Sequence, residues 1–208
     1  MDSANETADT RPYHHGNLRE ALIEAALEIL ERDGEDLTLR AAAKLAGVSH
    51  TAPYNHFADK EALLAATAIR GFEKLKAAVE AARLTAGSDM GDQLVATAHA
   101  YVFFAAEQPA LFRLMFGPRR ASAHAEDVRT AGLAAFNALV EVMRDGMAAG
   151  TFRDGDPRAA AFAAWSLVHG MSQLAIDRTG PLSGEDRTGI SERLHAAHRI
   201  MMEGLQPR

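Results

Sequence analysis

The 208-residue sequence contains no cysteine, only 6% aromatic residues and no long uninterrupted apolar run. Without cysteine there can be no disulfide bond, zinc–thiolate site or thiol catalysis. No apolar run approaches the roughly 20 residues that cross a membrane, so we expect no membrane partner. Residues 1–17 are polar and acidic, unlike the basic and then apolar order of a signal peptide. These features together predict a cytoplasmic protein.

Positive charge is also scarce, because the formal net charge is −6. This argues against a protein that covers nucleic acid non-specifically through its positive charge. A specific DNA-binding protein is not excluded, since the charge of one face matters more than the total. The acidity is concentrated in residues 17–36, which hold seven carboxylates and two cations, whereas residues 38–60 hold three cations and one carboxylate. Any basic face should therefore lie in the second segment.

Alanine and leucine, which favour helices, dominate the composition, and residues that cap helices recur along the chain. Asn17, Thr38, Ser49 and Asp59 are favourable N-caps that predict four successive helices, the first over 17–33 and the fourth over 59–83. Apolar spacing predicts further helices over about 92–108, 109–116, 123–149, 157–178 and 184–204. No strand-like alternation or repeat is present. The sequence predicts an all-α fold: a flexible arm over 1–12, a three-helix head over 13–60 and a helical body over 61–208.

Residues 37–66, LTLRAAAKLAGVSHTAPYNHFADKEALLAA, contain two short helical patterns around a Gly-Val-Ser turn. This is the spacing of a helix-turn-helix, whose second helix lies in the major groove of DNA. That helix carries exposed hydrogen-bonding and aromatic residues, where a structural helix usually exposes Glu, Lys and Gln. Pro53 restricts Ala52, so the helix is either short and late to begin or, alternatively, replaced by a loop.

The same segment resembles the N-terminal signature of the TetR/AcrR family of bacterial transcriptional regulators. The matching positions are Thr38, Ala42, Ala43, Ala46-Gly47-Val48-Ser49, Tyr54, Phe57, Lys60, Glu61 and Leu63. The likeness covers about residues 13–66, and WSLVHG at 165–170 resembles a body element of one branch of the family.

The resemblance implies a ligand-responsive repressor that binds a pseudo-palindromic double-stranded DNA operator as a homodimer. Carried over by position, it implies phosphate contacts by Thr38 and Lys60, DNA backbone contacts by Tyr54 and His56, and base contacts by Arg40, His50, Thr51 and Asn55. Arg11, in the arm, either enters the minor groove or stays solvated. Phe57 should be a core residue. The alternative is a helical effector-binding dimer whose head either does not bind DNA or binds it as a transcriptional activator does.

The body carries methionine and phenylalanine in groups that suit an adaptable apolar pocket for a small-molecule effector. The candidate effector contacts are Phe103, Phe112, Met115, Met143, Met147, Phe162, Trp165 and His169. Core packing is favoured for any single one of them, so the prediction is only that the group contains a pocket, and His169 either binds the effector or satisfies a buried carbonyl. The apolar helices over about 157–178 and 184–204 either form the homodimer interface or close their own body.

A metal site or an enzyme is the rival interpretation. Glu192-x-x-His195 has the spacing of a di-iron bundle, but such a site needs the motif twice and the sequence has it once. His195 and His198 are expected at a surface edge. Neither a glycine-rich phosphate loop nor a nucleophile-elbow sequence is present. We therefore predict no metal, no cofactor and no enzymatic activity.

Overall fold

The computed structural model describes residues 18–33, 37–117 and 123–205. Within these residues the α-helices are α1 Leu18–Asp33, α2 Leu39–Leu45, α3 Lys60–Thr85, α4 Met90–Glu107, α5 Pro109–Phe116, α6 Ala125–Ala148, α7 Pro157–Asp177 and α8 Arg187–Leu205. Two 3₁₀ helices, Ala52–Asn55 and Gly180–Leu182, complete the regular structure, and the described part of the chain has no strand. The predicted all-α fold is confirmed.

The helices begin where short polar side chains accept backbone hydrogen bonds. Thr38 Oγ1 accepts from the Ala41 N–H at 3.0 Å and caps α2. Asp59 Oδ1 accepts from the Ala62 N–H at 2.8 Å and caps α3. These bonds satisfy N–H groups that have no partner inside the helix. The predicted caps Thr38 and Asp59 are therefore confirmed, while Asn17 lies outside the described residues.

The second helix of the helix-turn-helix differs from the prediction. The expectation that Ser49 caps it is wrong, because Ser49 Oγ lies 3.2 Å from Thr51 Oγ1 and the helical turn begins only at Ala52. That turn is a 3₁₀ helix of four residues. Pro53 is the physical reason, since its ring disfavours the α conformation at Ala52. Pro53 is also fully buried, which anchors this turn in the head.

One hydrophobic core runs continuously from the head into the body, because α5 packs against both α1 and α3. Phe57 is 3% exposed, as predicted for a core residue, and the Arg19 guanidinium lies 5.5 Å from its ring centroid. Gly71 lets α5 approach α3 closely, since a Cβ there would lie 2.7 Å from Met115 Sδ and 2.9 Å from Leu111 Cδ1. Head and body are thus mechanically connected through α3 and α5.

The acidic residues of α1 have a structural role in this connection. Arg70 on α3 forms ion pairs with Glu20 and, at 3.1 Å, with Glu24. Lys74 also lies 3.5 Å from Glu24. Part of the negative charge of α1 is therefore neutralised by cations of α3.

Helix α7 is long and apolar enough to cross a membrane, judged by length and composition alone. Among the described residues it is the one helix that meets this criterion, although polar residues such as Ser166, His169 and Gln173 interrupt it. The core helices of soluble proteins pass the same test. Only 28% of its most apolar stretch is buried within the protomer, so one side of α7 remains available to a partner.

Candidate DNA-binding surface and body cavity

The candidate DNA contacts lie on consecutive short elements between the N-terminus of α2 and that of α3. All eight described candidates have exposed side chains: Thr38, Arg40, His50, Thr51, Tyr54, Asn55, His56 and Lys60. Arg11 and the rest of the 1–12 arm lie outside the described residues. The predicted contacts are therefore accessible to DNA wherever the structure describes them.

Two features of this surface fit a nucleic-acid partner. Thr38 and Lys60 stand at the N-termini of α2 and α3, where backbone N–H groups and the helix dipole attract phosphate. Tyr54 is 54% exposed, an unusual position for one of the few aromatic residues. Tyrosine is enriched at binding interfaces, because its ring is apolar and its hydroxyl can form hydrogen bonds. The left-handed φ of +70° at Gly47 sets the turn between α2 and these residues.

A cavity of about 840 Å³ lies in the body and is partly open to the surface of the protomer. Its wall is mostly apolar and is built by residues of α3 to α8. Phe72, Leu75 and Val79 come from α3, so the helix that begins at Lys60 also forms one side of the cavity. The volume falls within the range of natural small-molecule sites.

Three of the eight candidate effector contacts, Met115, Phe162 and Trp165, line this cavity. The other five do not line it. Phe112 and Met143 have no exposed surface and belong to the packed core. The remaining three lie elsewhere: Phe103 under the Arg187 guanidinium, Met147 against the cluster around Val140, and His169 next to Tyr101.

A hydrogen-bonded triad explains the position of His169. Trp165 Nε1–H donates to Tyr101 OH at 3.2 Å, and Tyr101 OH lies 3.0 Å from His169 Nδ1. Burial raises the pKa of the Tyr101 hydroxyl and lowers the pKa of the His169 imidazole. The phenol is therefore protonated and the imidazole neutral, and the tautomer of His169 determines which of the two donates. Within the protomer His169 Nδ1 is therefore hydrogen-bonded to the hydroxyl of Tyr101, which the sequence analysis did not identify, and not to a backbone carbonyl.

Replacing Tyr101 by phenylalanine is expected to destabilise the protein by about 1–3 kcal/mol, because the Trp165 N–H and His169 Nδ1 lose their shared partner. Urea unfolding followed by circular dichroism measures the change. Tyr54→Phe is the matched control, since its hydroxyl is on an exposed side chain, and it should change the free energy of unfolding by less than about 0.5 kcal/mol. Equal unfolding midpoints for the two variants would contradict the role of the triad.

The cavity wall also contains residues that the sequence analysis placed elsewhere or did not identify. His198 was expected at a surface edge, and this is wrong: it is 4% exposed and lines the cavity, whereas His195 is exposed as expected. The burial of His198 could have been predicted from its spacing in α8. It follows Leu194, which is fully buried, by four residues, and residues at this spacing lie on the same helix face. Phe72, Tyr101 and Phe136 line the cavity as well.

The described residues contain no group of three or more His, Asp or Glu side chains arranged to hold a metal ion. The Glu192-x-x-His195 motif lies on the exposed side of α8. Its His195 ring contacts His99 of α4, with 4.4 Å between the ring centroids. His99 in turn is held by Val95 O at 3.0 Å and Ser191 Oγ at 3.2 Å. These histidines connect α4 to α8.

Comparison with protein families agrees with this arrangement of head and body. Residues 22–67 match the model of bacterial regulatory proteins of the tetR family, and residues 94–197 match a tetracyclin repressor-like C-terminal domain. The chain belongs to the tetR family. The resemblance found in the sequence is thereby confirmed. As a member of this family, the chain is a transcriptional regulator with a helix-turn-helix DNA-binding domain, and regulators of this family are not enzymes.

Solved structures and curated relatives extend this likeness. A protein of unknown function from Rhodococcus sp. RHA1 is 40% identical, with a TM-score of 0.82 over 95% of this chain and 100% of its own. The fatty acid degradation regulator FadR from Bacillus halodurans shares the fold alone, at 17% identity and a TM-score of 0.70 over 90% of this chain and 99% of its own. The HTH-type transcriptional regulator Rv1816 of Mycobacterium tuberculosis is 29% identical over 129 residues, which are 61% of this chain and 55% of that relative.

Proposed function

We propose that this tetR-family regulator is a cytoplasmic, ligand-responsive repressor that binds a pseudo-palindromic operator as a homodimer. The observation that carries the proposal is the course of α3. This one uninterrupted helix begins at Lys60 on the DNA-binding surface and lines the apolar cavity with Phe72, Leu75 and Val79. A molecule in the cavity therefore contacts the same rigid element that positions the head.

The operator contacts follow the exposed residues of the head. In this proposal Thr38 and Lys60 bind phosphates, and Tyr54 and His56 bind the DNA backbone. Base edges are then read by exposed donors and acceptors on α2, the turn and the 3₁₀ helix, namely Arg40, His50, Thr51 and Asn55. Phosphate contacts fix the register of the head, and base contacts select the sequence.

Dimerisation is supported by apolar side chains that the protomer leaves uncovered. Phe162 on α7 is 59% exposed and Ile200 on α8 is 68% exposed. Large apolar side chains with this exposure on long helices favour pairing with the same helices of a second copy. A two-fold dimer would place its two heads in successive major grooves, roughly 34–36 Å apart.

The ligand response follows from the connection between cavity and head. A ligand that binds better when α3 is shifted stabilises the arrangement in which the two heads no longer match the groove spacing. Such a ligand acts only through its preference for that arrangement. Operator affinity then falls by the same factor by which DNA weakens ligand binding.

The direct test is titration of the purified protein against the intergenic DNA next to its own gene, measured by fluorescence anisotropy. A scrambled duplex of equal length is the control. We expect tight binding to the intergenic DNA alone and a steep loss of affinity with salt, because phosphate contacts release counterions. Equal, weak binding to both duplexes would contradict the proposal and favour a helical effector-binding dimer with a silent head.

Two single substitutions distinguish contacts to the DNA backbone, which position the head, from contacts to the bases, which select the sequence. Tyr54→Ala is expected to weaken binding to all duplexes by a similar factor, since its contact is to the backbone. Asn55→Ala is expected to lose about 1–3 kcal/mol on the operator and also to relax base choice, since an amide reads a base edge. Both side chains are exposed, so neither change should unfold the head. Anisotropy titrations against operator variants with one altered base pair measure the difference, and identical profiles would contradict the division of roles.

A further inference from the structure

The charged side chains of the cavity wall are mostly positive, in contrast to the chain as a whole. The described residues that line the cavity include three cations, Lys76, Arg129 and Arg158, and one carboxylate, Asp156. The formal net charge of the chain is −6. All four of these side chains are exposed, whereas Leu75 on the apolar part of the wall is 2% exposed. The cavity therefore combines a buried apolar part with an exposed edge of positive charge.

Two of these three cations already have carboxylate partners in the protomer. Lys76 Nζ lies 3.6 Å from a carboxylate oxygen of Glu80. Arg129 Nε donates to the Glu126 carboxylate at 2.8 Å. A ligand anion would have to compete with these carboxylates, so Lys76 and Arg129 are poor sites for it.

Arg158 differs from them, because it forms no ion pair with any described residue. Its Nη1 donates to the amide oxygen of Asn137 at 3.3 Å, a long hydrogen bond to a neutral acceptor. Its guanidinium lies 5.4 Å from the ring centroid of Phe136, which lines the cavity as well. These two contacts hold the guanidinium beside the cavity without neutralising its charge.

The nearby carboxylate of Asp156 has another role. Its Oδ1 accepts from the backbone N–H of Arg158 at 2.8 Å and so caps α7. A guanidinium carries five N–H donors in a planar fork. Within the described part of the protomer, the Nε and Nη2 donors of Arg158 have no acceptor. This edge of the guanidinium is therefore available to a ligand.

Building on the proposed ligand response, we propose that the effector is an amphipathic carboxylate, and that Arg158 binds its carboxylate group through Nε and Nη2. The planar fork of arginine matches the two oxygens of a carboxylate. The apolar part of the molecule packs against Phe72, Leu75 and Phe136 in the cavity of about 840 Å³. The ligand thus joins α7, which carries Arg158, to α3, which carries Phe72 and Leu75.

The probes are decanoate, 1-decanol and acetate. Decanoate is ionised at pH 7.5, 1-decanol has the same chain without charge, and acetate has the carboxylate without the chain. Each is titrated at pH 7.5 into the full-length wild type and into Arg158→Gln, Arg158→Lys and Arg129→Gln. Isothermal titration calorimetry measures Kd, and the fluorescence of Trp165, the single tryptophan, reports occupancy because this residue lines the cavity. Arg129→Gln is the matched control, since it removes an exposed cation of the same wall that already has a carboxylate partner.

We expect Arg158→Gln to bind decanoate about 5- to 30-fold more weakly than the wild type does, between the effect of an exposed ion pair and that of a charge-assisted hydrogen bond. Arg158→Lys should lie between the two, because it keeps the charge and loses the planar fork. Arg129→Gln should stay within about 2-fold of the wild type. The Kd of 1-decanol should be the same for the wild type and Arg158→Gln, which shows that the cavity is intact, and acetate should not bind measurably.

Equal affinity of decanoate for the wild type and Arg158→Gln would overturn the assignment of Arg158, and so would an equal loss in Arg129→Gln or an equal loss of 1-decanol binding. Wild-type protein that binds 1-decanol but not decanoate would overturn the anionic class, and binding of neither would overturn the inference as a whole. The operator titration needs no ligand and tests DNA binding separately. Decanoate that binds through Arg158 and leaves operator affinity unchanged would support the carboxylate site and contradict the proposed ligand response.

Discussion

The double variant Phe162→Glu and Ile200→Glu is expected to be monomeric and to bind the operator about 100- to 10,000-fold more weakly than the wild type. Among the side chains of α7 and α8 whose exposure the structure describes, these two are the most exposed large apolar groups. A dimer that covers them would have to bury carboxylates without partners, which is strongly unfavourable. A monomer binds with one head, so it loses the gain in affinity of about 10²–10⁴ that linked binding sites provide.

Size-exclusion chromatography with light scattering gives the mass, and anisotropy gives the operator affinity. Leu84→Glu is the matched control, because Leu84 is 83% exposed but lies near the C-terminus of α3. That variant should remain a dimer with unchanged affinity. A double variant that still has the mass of a dimer would place the interface on another surface.

Phe112→Ala is expected to lower the free energy of unfolding by about 3–5 kcal/mol, a large part of the stability of a typical domain. Phe112 has no exposed surface, and its ring centroid lies 4.7 Å from that of Phe116 and 5.4 Å from that of His169. Alanine would leave an unfilled space where α5 meets α4 and α7. The triad of Tyr101, Trp165 and His169 would lose part of its support.

Urea unfolding measures this change, with Leu84→Ala as the exposed control that should stay within about 0.5 kcal/mol of the wild type. The comparison also tests the assignment of Phe112 to the core rather than to the cavity wall. A Phe112→Ala protein of normal stability that no longer binds a cavity ligand would restore the interpretation of Phe112 as an effector contact.

Features determined by short stretches of sequence were predictable. Helix periodicity and the capping residues Thr38 and Asp59 act over three or four residues, so the order and approximate bounds of the helices follow from the sequence. The exposed character of Tyr54 and Asn55 and the burial of Phe57 also follow from the helix-turn-helix pattern. Even the late start of the second helix has a local cause, namely Pro53.

The cavity wall could not be predicted in the same way, because it depends on how separate helices pack. Phe112 and Phe116 lie four residues apart on α5 and share a face, yet one is core and the other lines the cavity. Their difference comes from the positions of α3, α4 and α7. Similarly, the partner of His169 is Tyr101, which lies 68 residues away in the chain.

The uninterrupted course of α3 has a mechanical consequence. From Phe72 at the cavity to Lys60 at the DNA-binding surface the helix rises about 18 Å, at about 1.5 Å per residue. If the helix pivots as a rigid rod near Phe72, a tilt of about 10° moves its head end by about 3 Å. Two-fold symmetry doubles this to about 6 Å between the heads, against a groove repeat of roughly 34 Å. The helix would therefore work as a lever: a displacement of Val79, about 10 Å from the pivot on the cavity side, would be accompanied by a larger displacement of Lys60.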